Sequence, residues 1–315
     1  MFSAAVGGFI YGQPEVAGPT AGWVGMRSGP NATYVSRFIF ATDTATGTLR
    51  GPLTLARYSG ASTGTMNYGW FAGGLTGSST AVSRVDRITY ASDTSIATTR
   101  ANLPTPQGRF SAAGDTTYGW FAGGWTTRSY VTRISYSTDT NVRSTNLVGN
   151  AAASASMGTP TNGYWVAGYT SPGGPRSYIN RMTYANETII LTGGSLSQAG
   201  YSSTGLTDGT TYGWNCGAEA SGYGTSNVFR ITYATDSSVA STRGPLFFPV
   251  AYAGGSSSAS YGWIAGGEYF IRTPIQQILL STVQRITYAN DTTTASDRGP
   301  LSITQTDCTG TSGSY

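Results

Sequence analysis

The sequence has 315 residues, of which 12% are aromatic and only 10% charged, so it is too aromatic for a disordered chain and unusually sparse in charge. All 18 basic residues are arginine and histidine is absent, so the net charge of +4 comes from guanidinium groups. Without His and Lys there is no His-dependent catalytic triad, no His-containing metal site, no lysine Schiff base and no P-loop lysine. The two cysteines are far apart in the chain and form no Cys-x-x-Cys motif.

Residues 1–20 precede the repeat that fills the rest of the chain. Their short apolar run has no basic residues before it, so we expect neither a secretory signal nor a membrane anchor. The segment FSAA near the start matches the FSAA that begins at Phe110. Two alternatives follow: residues 1–20 form a partial repeat unit, or they form an arm that packs on a neighbouring subunit.

Six units of about 49 residues follow, each opened by a Tyr-Gly-Trp block or a close relative. In the second block, such as Arg87-Ile-Thr-Tyr, side chains alternate as in a β-strand, and an acid follows each Arg among turn residues. A third block, such as Arg243-Gly-Pro-Leu, is a short strand that Pro ends. The repeated tryptophans are Trp23, Trp70, Trp120, Trp165, Trp214 and Trp263. The repeated arginines are Arg37, Arg87, Arg133, Arg181, Arg230 and Arg285.

Four short strands in a unit of this length are typical of a propeller blade. The sequence therefore predicts an all-β, six-bladed β-propeller over residues 21–315, with four short antiparallel strands per blade. The chain ends where another Tyr-Gly-Trp block would begin, so we expect a C-terminal strand to pair beside Trp23 and close the ring. We expect the tryptophans to pack between blades, and each Arg to bridge to the acid of its own hairpin as a structural clamp.

The order of blocks, RFSAAGDTTYGWFAGG and then VDRITYASDTSIATTRANLPTP, resembles the kelch repeat. It departs from that pattern because Thr98 or Ala240 stands in the region of the kelch Trp. The tandem of DRITYASDT, TRGPL and YGWFAGG is similar to kelch-like repeats in tail-fibre and other structural proteins of marine bacteriophages such as cyanophages. The resemblance implies a non-enzymatic virion protein, assembled in the host cytoplasm, whose partners are other virion proteins or copies of itself.

The units differ most in the loop that follows the Gly-Gly strand, and repeat scaffolds commonly place recognition in such loops. The first five of these loops are small and polar, and as a set they combine Tyr with Ser, Gly and Asn, as binding loops of antibodies do. Trp125 lies outside the repeat and is open to two interpretations, surface recognition or loop packing. A lectin-like adhesin that binds host-surface carbohydrate is the alternative function. The candidate recognition residues are Trp125, Arg128, Tyr130, Arg176, Tyr178 and Tyr223.

The sixth loop carries an apolar insert at residues 268–282. Exposure of so many large apolar side chains would be costly, so the insert either folds back on the propeller or docks on another protein. We predict docking. The candidate docking residues are Tyr269, Phe270, Ile271, Ile275, Ile278, Leu279 and Leu280.

Other functions fit the sequence less well. A charge of +4 spread over a periodic chain lacks the clustered basic residues of a nucleic-acid site. A propeller glycoside hydrolase would need a pair of carboxylates, for which Glu219 and Glu268 are the candidates. We predict a protein that is no enzyme, has no cofactor, catalytic residue or metal ligand, and contacts neither nucleic acid nor the membrane interior.

Overall fold

The structure, a computed structural model, describes residues 20–26, 33–77, 79–125, 129–149, 152–272 and 275–312. Within these ranges the chain forms six four-stranded antiparallel sheets in a ring. The predicted fold, a six-bladed all-β propeller closed by a C-terminal strand, is confirmed. The helical elements are single 3-10 turns, so in the described ranges no helix has the length or hydrophobicity to cross a membrane.

Each blade runs from an innermost strand at the axis to an outermost strand at the rim. Blade 1 contains β28 (Thr309–Thr311), β1 (Ala21–Gly25), β2 (Tyr34–Ile39) and β3 (Thr48–Pro52). Blade 2 contains β4 (Ala61–Gly64), β5 (Tyr68–Ala72), β6 (Val85–Thr89) and β7 (Thr98–Arg100). Blade 3 contains β8 (Phe110–Gly114), β9 (Tyr118–Gly123), β10 (Tyr130–Ser135) and β11 (Asn141–Asn146).

The second half of the ring has longer strands and two extra hairpins. Blade 4 contains β12 (Ala155–Gly158), β13 (Asn162–Thr170), β14 (Gly174–Thr183) and β15 (Thr188–Gly200). Blade 5 contains β16 (Thr204–Thr207), β17 (Tyr212–Cys216), β20 (Val228–Thr232) and β21 (Ser241–Thr242), with the hairpin β18 (Glu219–Ala220) and β19 (Tyr223–Gly224). Blade 6 contains β22 (Gly254–Ser257), β23 (Tyr261–Ala265), β26 (Val283–Thr287) and β27 (Ser296–Arg298), with the hairpin β24 (Glu268–Arg272) and β25 (Ile275–Leu279).

The six innermost strands contact one another in a closed cycle around the axis. Strand β28 completes it by pairing with β1, where Thr311 lies opposite Trp23. The strands approach so closely that small residues are required. A Cβ atom on Gly205 would lie 1.9 Å from the carbonyl oxygen of Ser156 in the preceding blade. The buried cysteines, Cys216 and Cys308, are free thiols.

One aromatic stack joins each blade to the next. In five blades the repeated Trp stacks on the Tyr or Phe that follows the third strand of the next blade, and ring centroids are 3.8 to 4.7 Å apart over all six stacks. Burying these flat surfaces seals the blade boundaries. The pairs are Trp23–Tyr90, Trp70–Tyr136, Trp120–Tyr184, Tyr164–Tyr233, Trp214–Tyr288 and Trp263–Phe40.

Blade 4 departs from the predicted set of equivalent tryptophans. In β13 it is Tyr164 that lies opposite Arg181, whereas Trp165 lies opposite Asn180. Because successive side chains of a strand point to opposite faces, this one-residue difference turns Trp165 toward blade 3, where it packs in the same cluster as Trp120. Trp165 is fully buried, but the repeat position belongs to Tyr164.

The same blade boundaries hold a shared carboxylate. At the boundary of blades 5 and 6, the Trp214 indole Nε1 donates to Oδ2 of Asp291 at 2.8 Å. The guanidinium of Arg230 donates to the same oxygen at 3.1 Å, and Arg243 Nε lies 3.5 Å from it. Asp291 is only 4% exposed, so these donors replace most of its water. The corresponding acids at the other boundaries are Asp43, Asp93, Asp139, Glu187 and Asp236.

The predicted pairing of each Arg with the acid of its own hairpin is therefore wrong. Arg37 bonds Asp93 of the next blade at 3.0 Å, and Asp43 bonds Arg285 of the preceding blade at 3.0 Å. The stack on the following blade brings that blade's turn over the Arg strand, so the clamp joins two blades. Around the ring, the pair between Asp43 and Arg285 closes the last boundary.

Replacement of Asp291 by Ala is expected to lower the free energy of unfolding by about 3 kcal/mol, because it leaves two arginines and an indole N–H without their buried acceptor. The matched control is Asp297→Ala, which removes the same charge from an exposed position of β27 and should change stability by less than about 0.5 kcal/mol. Chemical denaturation of both variants measures the difference. Equal effects would contradict the clamp.

Candidate binding site at the mouth of the central channel

A cavity of about 160 Å³ opens on the propeller axis where the innermost strands begin. A second cavity of about 140 Å³ lies toward the other end of these strands. The two share lining residues, so together they form an axial channel. Serine hydroxyls dominate the polar lining of the first cavity. They belong to Ser59, Ser62, Ser111, Ser154, Ser156, Ser202 and Ser203.

A ring of left-handed residues surrounds this mouth. Each blade supplies one residue, just before its innermost strand, with a φ angle between 52° and 60°. Backbone N–H groups of successive members donate to the carbonyl of the preceding member, as Arg109 does to Ser59 at 2.6 Å. At the last step Cys308 donates to Tyr252 at 3.3 Å, which completes the circle. The mouth ring is Ser59, Arg109, Ala153, Ser202, Tyr252 and Asp307.

None of the six members of the mouth ring is glycine, although the chain contains 44 glycines. A left-handed conformation costs a residue with a Cβ atom about 1 kcal/mol or more, whereas Gly adopts it freely. All six residues line the cavity. The left-handed backbone strain therefore lies at residues that line a pocket, and such strain is commonly found at functional sites.

A second variable position lies beside the mouth ring. It follows the Gly-Gly turn, or the Ala-Gly or Gly-Ala turn that replaces it, and in blades 2, 4, 5 and 6 it pairs with the residue that precedes the ring member, as Glu219 pairs with Tyr201. In blade 3, Trp125 N–H donates to the carbonyl of Gly108. The scaffold therefore carries four kinds of side chain at five equivalent positions. They are Leu75, Trp125, Tyr169, Glu219 and Glu268.

Blades 3 to 5 provide an aromatic wall. Trp125 is 45% exposed and stacks against Tyr169 with a centroid distance of 6.1 Å and an interplanar angle of 19°. Tyr169 in turn meets the edge of Tyr201 at 5.3 Å. The Arg109 guanidinium lies 4.9 Å from the centroid of the Trp125 ring, within range of a cation–π interaction. A row of aromatic rings, with a cation over the Trp125 ring, thus lies beside the cavity that Arg109 lines.

Blades 5, 6 and 1 provide carboxylates. The Tyr252 hydroxyl donates to Glu219 at 2.5 Å, and Glu268 accepts from Thr306 at 2.7 Å. Asp307 accepts from Ser59 at 2.8 Å. Burial raises the pKa of Glu268 and of Asp307, and the Glu219 charge adds to both shifts. Each carboxylate therefore has a protein donor. The described residues contain no group of His, Cys, Asp and Glu suited to a metal ion.

The candidate recognition residues do not form one cluster around Trp125, whose stacking contacts are with Tyr169 and Arg109. Tyr130 starts β10 under the guanidinium of Arg143, at 3.7 Å. Arg176 donates to Thr170 within blade 4. Tyr178 lies on β14 and Tyr223 on the hairpin of blade 5. Arg128 lies outside the described residues.

Sequence reasoning missed most of the mouth. Arg109, Tyr169, Tyr201, Tyr252 and Asp307 have no motif of their own. A comparison of the six units would have shown one signal: the position after Gly-Gly changes from Leu to Trp, Tyr and Glu while its surroundings repeat. The left-handed ring gives no comparable signal, because Gly, the usual marker of that conformation, is absent from it.

The insert of blade 6 is a β-hairpin that partly folds back. Tyr269 and Ile278 lie opposite each other and pack on the core between blades 5 and 6, and Leu280 is buried there. Leu279 is exposed and Phe270 is half-buried. The structure therefore places three of the candidate docking residues in the core. The side chains of Ile271 and Ile275 lie outside the described part of the structure.

Comparisons with known proteins support the propeller fold and give no information on function. No family model matches the sequence, and no curated protein matches it. The solved structure of YjhT matches with a TM-score of 0.66, covering 81% of this chain and 87% of that chain at 13% sequence identity. At this identity the match shows the propeller fold alone.

Replacement of Ala153 by Gly is expected to raise the free energy of unfolding by about 0.5 to 1 kcal/mol, because Gly relieves the left-handed strain without loss of a functional group. The control is Ala112→Gly, which also lines the cavity but lies within β8, where Gly should cost about 0.5 to 1 kcal/mol. Thermal and chemical denaturation compare the two. A loss of stability in both variants would contradict the strain at the mouth ring.

Leu280→Ser is expected to lower the free energy of unfolding by about 2 to 4 kcal/mol, because Leu280 is buried in the core. The neighbouring Leu279→Ser, at an exposed position, should leave stability within about 0.5 kcal/mol. Denaturation of both variants provides the measurement. Unfolding of the Leu279 variant would show that the whole hairpin end belongs to the core.

Proposed function

We propose that this propeller is a non-enzymatic recognition protein of a bacteriophage particle and binds host-surface carbohydrate at its channel mouth. The observation that carries the proposal is the exposed Trp125, stacked on Tyr169 beside a cavity lined with hydroxyl groups. A sugar ring has an apolar face that stacks on an aromatic ring and a rim of hydroxyl groups that need hydrogen-bond partners. Both halves of this requirement have a counterpart at the mouth.

The chemistry of the cavity lining favours a small polar ligand. Serine hydroxyls can both donate and accept, and so can match sugar hydroxyl groups in several orientations. Arg109 and Asp307 add one donor set and one acceptor set on the same wall. A concave site with a few convergent polar groups next to an apolar surface is the usual form of a small-ligand site.

The virion assignment is supported by the resemblance of DRITYASDT, TRGPL and YGWFAGG in tandem to repeats of phage structural proteins. A mouth that binds one sugar weakly would gain avidity when many copies sit on one particle. Attachment would use the described apolar residues left on the hairpin of blade 6, Phe270 and Leu279. Immunogold labelling of purified phage particles should show the propeller at a fixed position, and its absence from washed particles would contradict the assignment.

A propeller hydrolase is the second candidate, because burial raises the pKa of Glu268 and the charges of Asp307 and Glu219 add to that shift. A carboxyl group with a raised pKa beside a second carboxylate can serve as a general acid. Hydrolysis of a bound glycan by the wild type, abolished in Glu268→Gln, would favour this function over recognition alone.

Trp125→Ala is expected to lower affinity in a glycan array by at least about 10-fold, because the stacking surface is lost. The control is Phe247→Ala, which removes a comparably exposed aromatic side chain whose ring contact is with Phe248 and not with Tyr169 or Arg109. Thermal melting checks that both variants fold. Unchanged glycan binding in the Trp125 variant would contradict recognition at the mouth.

A further inference from the structure

Arg109 differs from the other arginines of the molecule. Eleven arginines form salt bridges with Asp or Glu. Arg84, Arg143 and Arg176 donate hydrogen bonds to side-chain oxygens. Among the described residues, the Arg109 side chain forms no salt bridge and no side-chain hydrogen bond; it lies over the face of Trp125 and near enough to Asp307 and Tyr201 to affect their pKa values. Its N–H donors are therefore available for a ligand.

Arg109 is placed so that its free N–H donors can contact a ligand in the cavity. Its side chain lines the cavity, is half-buried, and is carried by a strained left-handed residue of the mouth ring. Stacking on Trp125 restricts the guanidinium plane before any ligand arrives, which lowers the entropy lost on binding. An arginine held in this way is prepared for two parallel hydrogen bonds to two oxygens of one anionic group.

The nearby carboxylates do not take up these donors. Burial raises the pKa of Asp307, and the Arg109 charge offsets part of that rise, but the two form no salt bridge in the structure, and Asp307 accepts from Ser59. Glu219 and Glu268 accept from Tyr252 and Thr306. The serine hydroxyls already suit the neutral groups of a sugar. A neutral sugar has no anionic group to pair with the Arg109 guanidinium.

We propose that Arg109 binds the carboxylate or sulfate group of an acidic saccharide while Trp125 stacks on its ring. This inference rests on the proposed carbohydrate binding and names the class of carbohydrate. It makes Arg109 the residue that separates acidic from neutral sugars. The guanidinium would form a charge-assisted, bidentate contact, and the ring hydroxyls would face the serines of the cavity.

The test is an array of glycans in matched pairs, in which a uronate-containing or sulfated glycan and its neutral form share one backbone. Wild-type protein should bind the acidic member about 10 to 100 times more tightly, the range of a charge-assisted hydrogen-bond pair. Arg109→Gln should remove this preference, because the acidic member then loses a contact that the neutral member never had. Arg143→Gln, which removes an equal charge from an exposed position of blade 3, should retain the preference.

Three outcomes separate the claims. Equal binding of both members by the wild type overturns the role of Arg109 and leaves carbohydrate binding standing. The role of Arg109 is also overturned, and carbohydrate binding again stands, if Arg109→Gln weakens binding of both members equally. Failure of the wild type to bind any glycan overturns the proposed function as well. Because the preference of the wild type is measured directly, the test holds even if the Arg109 variant does not fold.

Discussion

The shared carboxylate at each blade boundary is the interaction on which the ring depends. Asp291 illustrates it: one buried side chain of blade 6 accepts from the indole and arginine of blade 5, directly beside the stack of Trp214 on Tyr288. The acid thereby fixes both the distance and the rotation between two sheets. Asp43 does the same between blades 6 and 1, so the boundary that closes the circle is built like the others. A closed ring leaves no blade at an open end.

Because similar contacts hold all six blade boundaries, the six units can differ at positions away from those boundaries. The positions after the Gly-Gly turns and the mouth ring meet around the axis, and there the six units diverge. Three aromatic rings, one guanidinium and three carboxylates lie at or beside the mouth, and no unit contributes more than two of them. The asymmetry of the mouth arises from six nearly symmetric parts. The strained backbone of the mouth ring indicates that its side chains, rather than its stability, determine which residues stand there.

The blades, their number and the closing strand could be predicted because repetition and strand alternation act locally along the chain. The partner of Arg37 could not, since it depends on how one blade is rotated against the next. The exchange of Trp165 for Tyr164 was visible in principle, because Gly163 precedes Tyr164 where Gly119 precedes Trp120. The mouth was beyond prediction from one unit at a time, because its residues converge only when six innermost strands surround one axis.

The proposed ligand-binding site of this propeller is the axial mouth, not the outer loops. A crystal structure of the protein with its best glycan from the array tests it most directly. We expect density for a sugar ring against Trp125, with its hydroxyl groups in the serine-lined cavity and its acidic group on Arg109. Sugar density on the loops near Tyr130 or Tyr178, with the mouth empty, would contradict it.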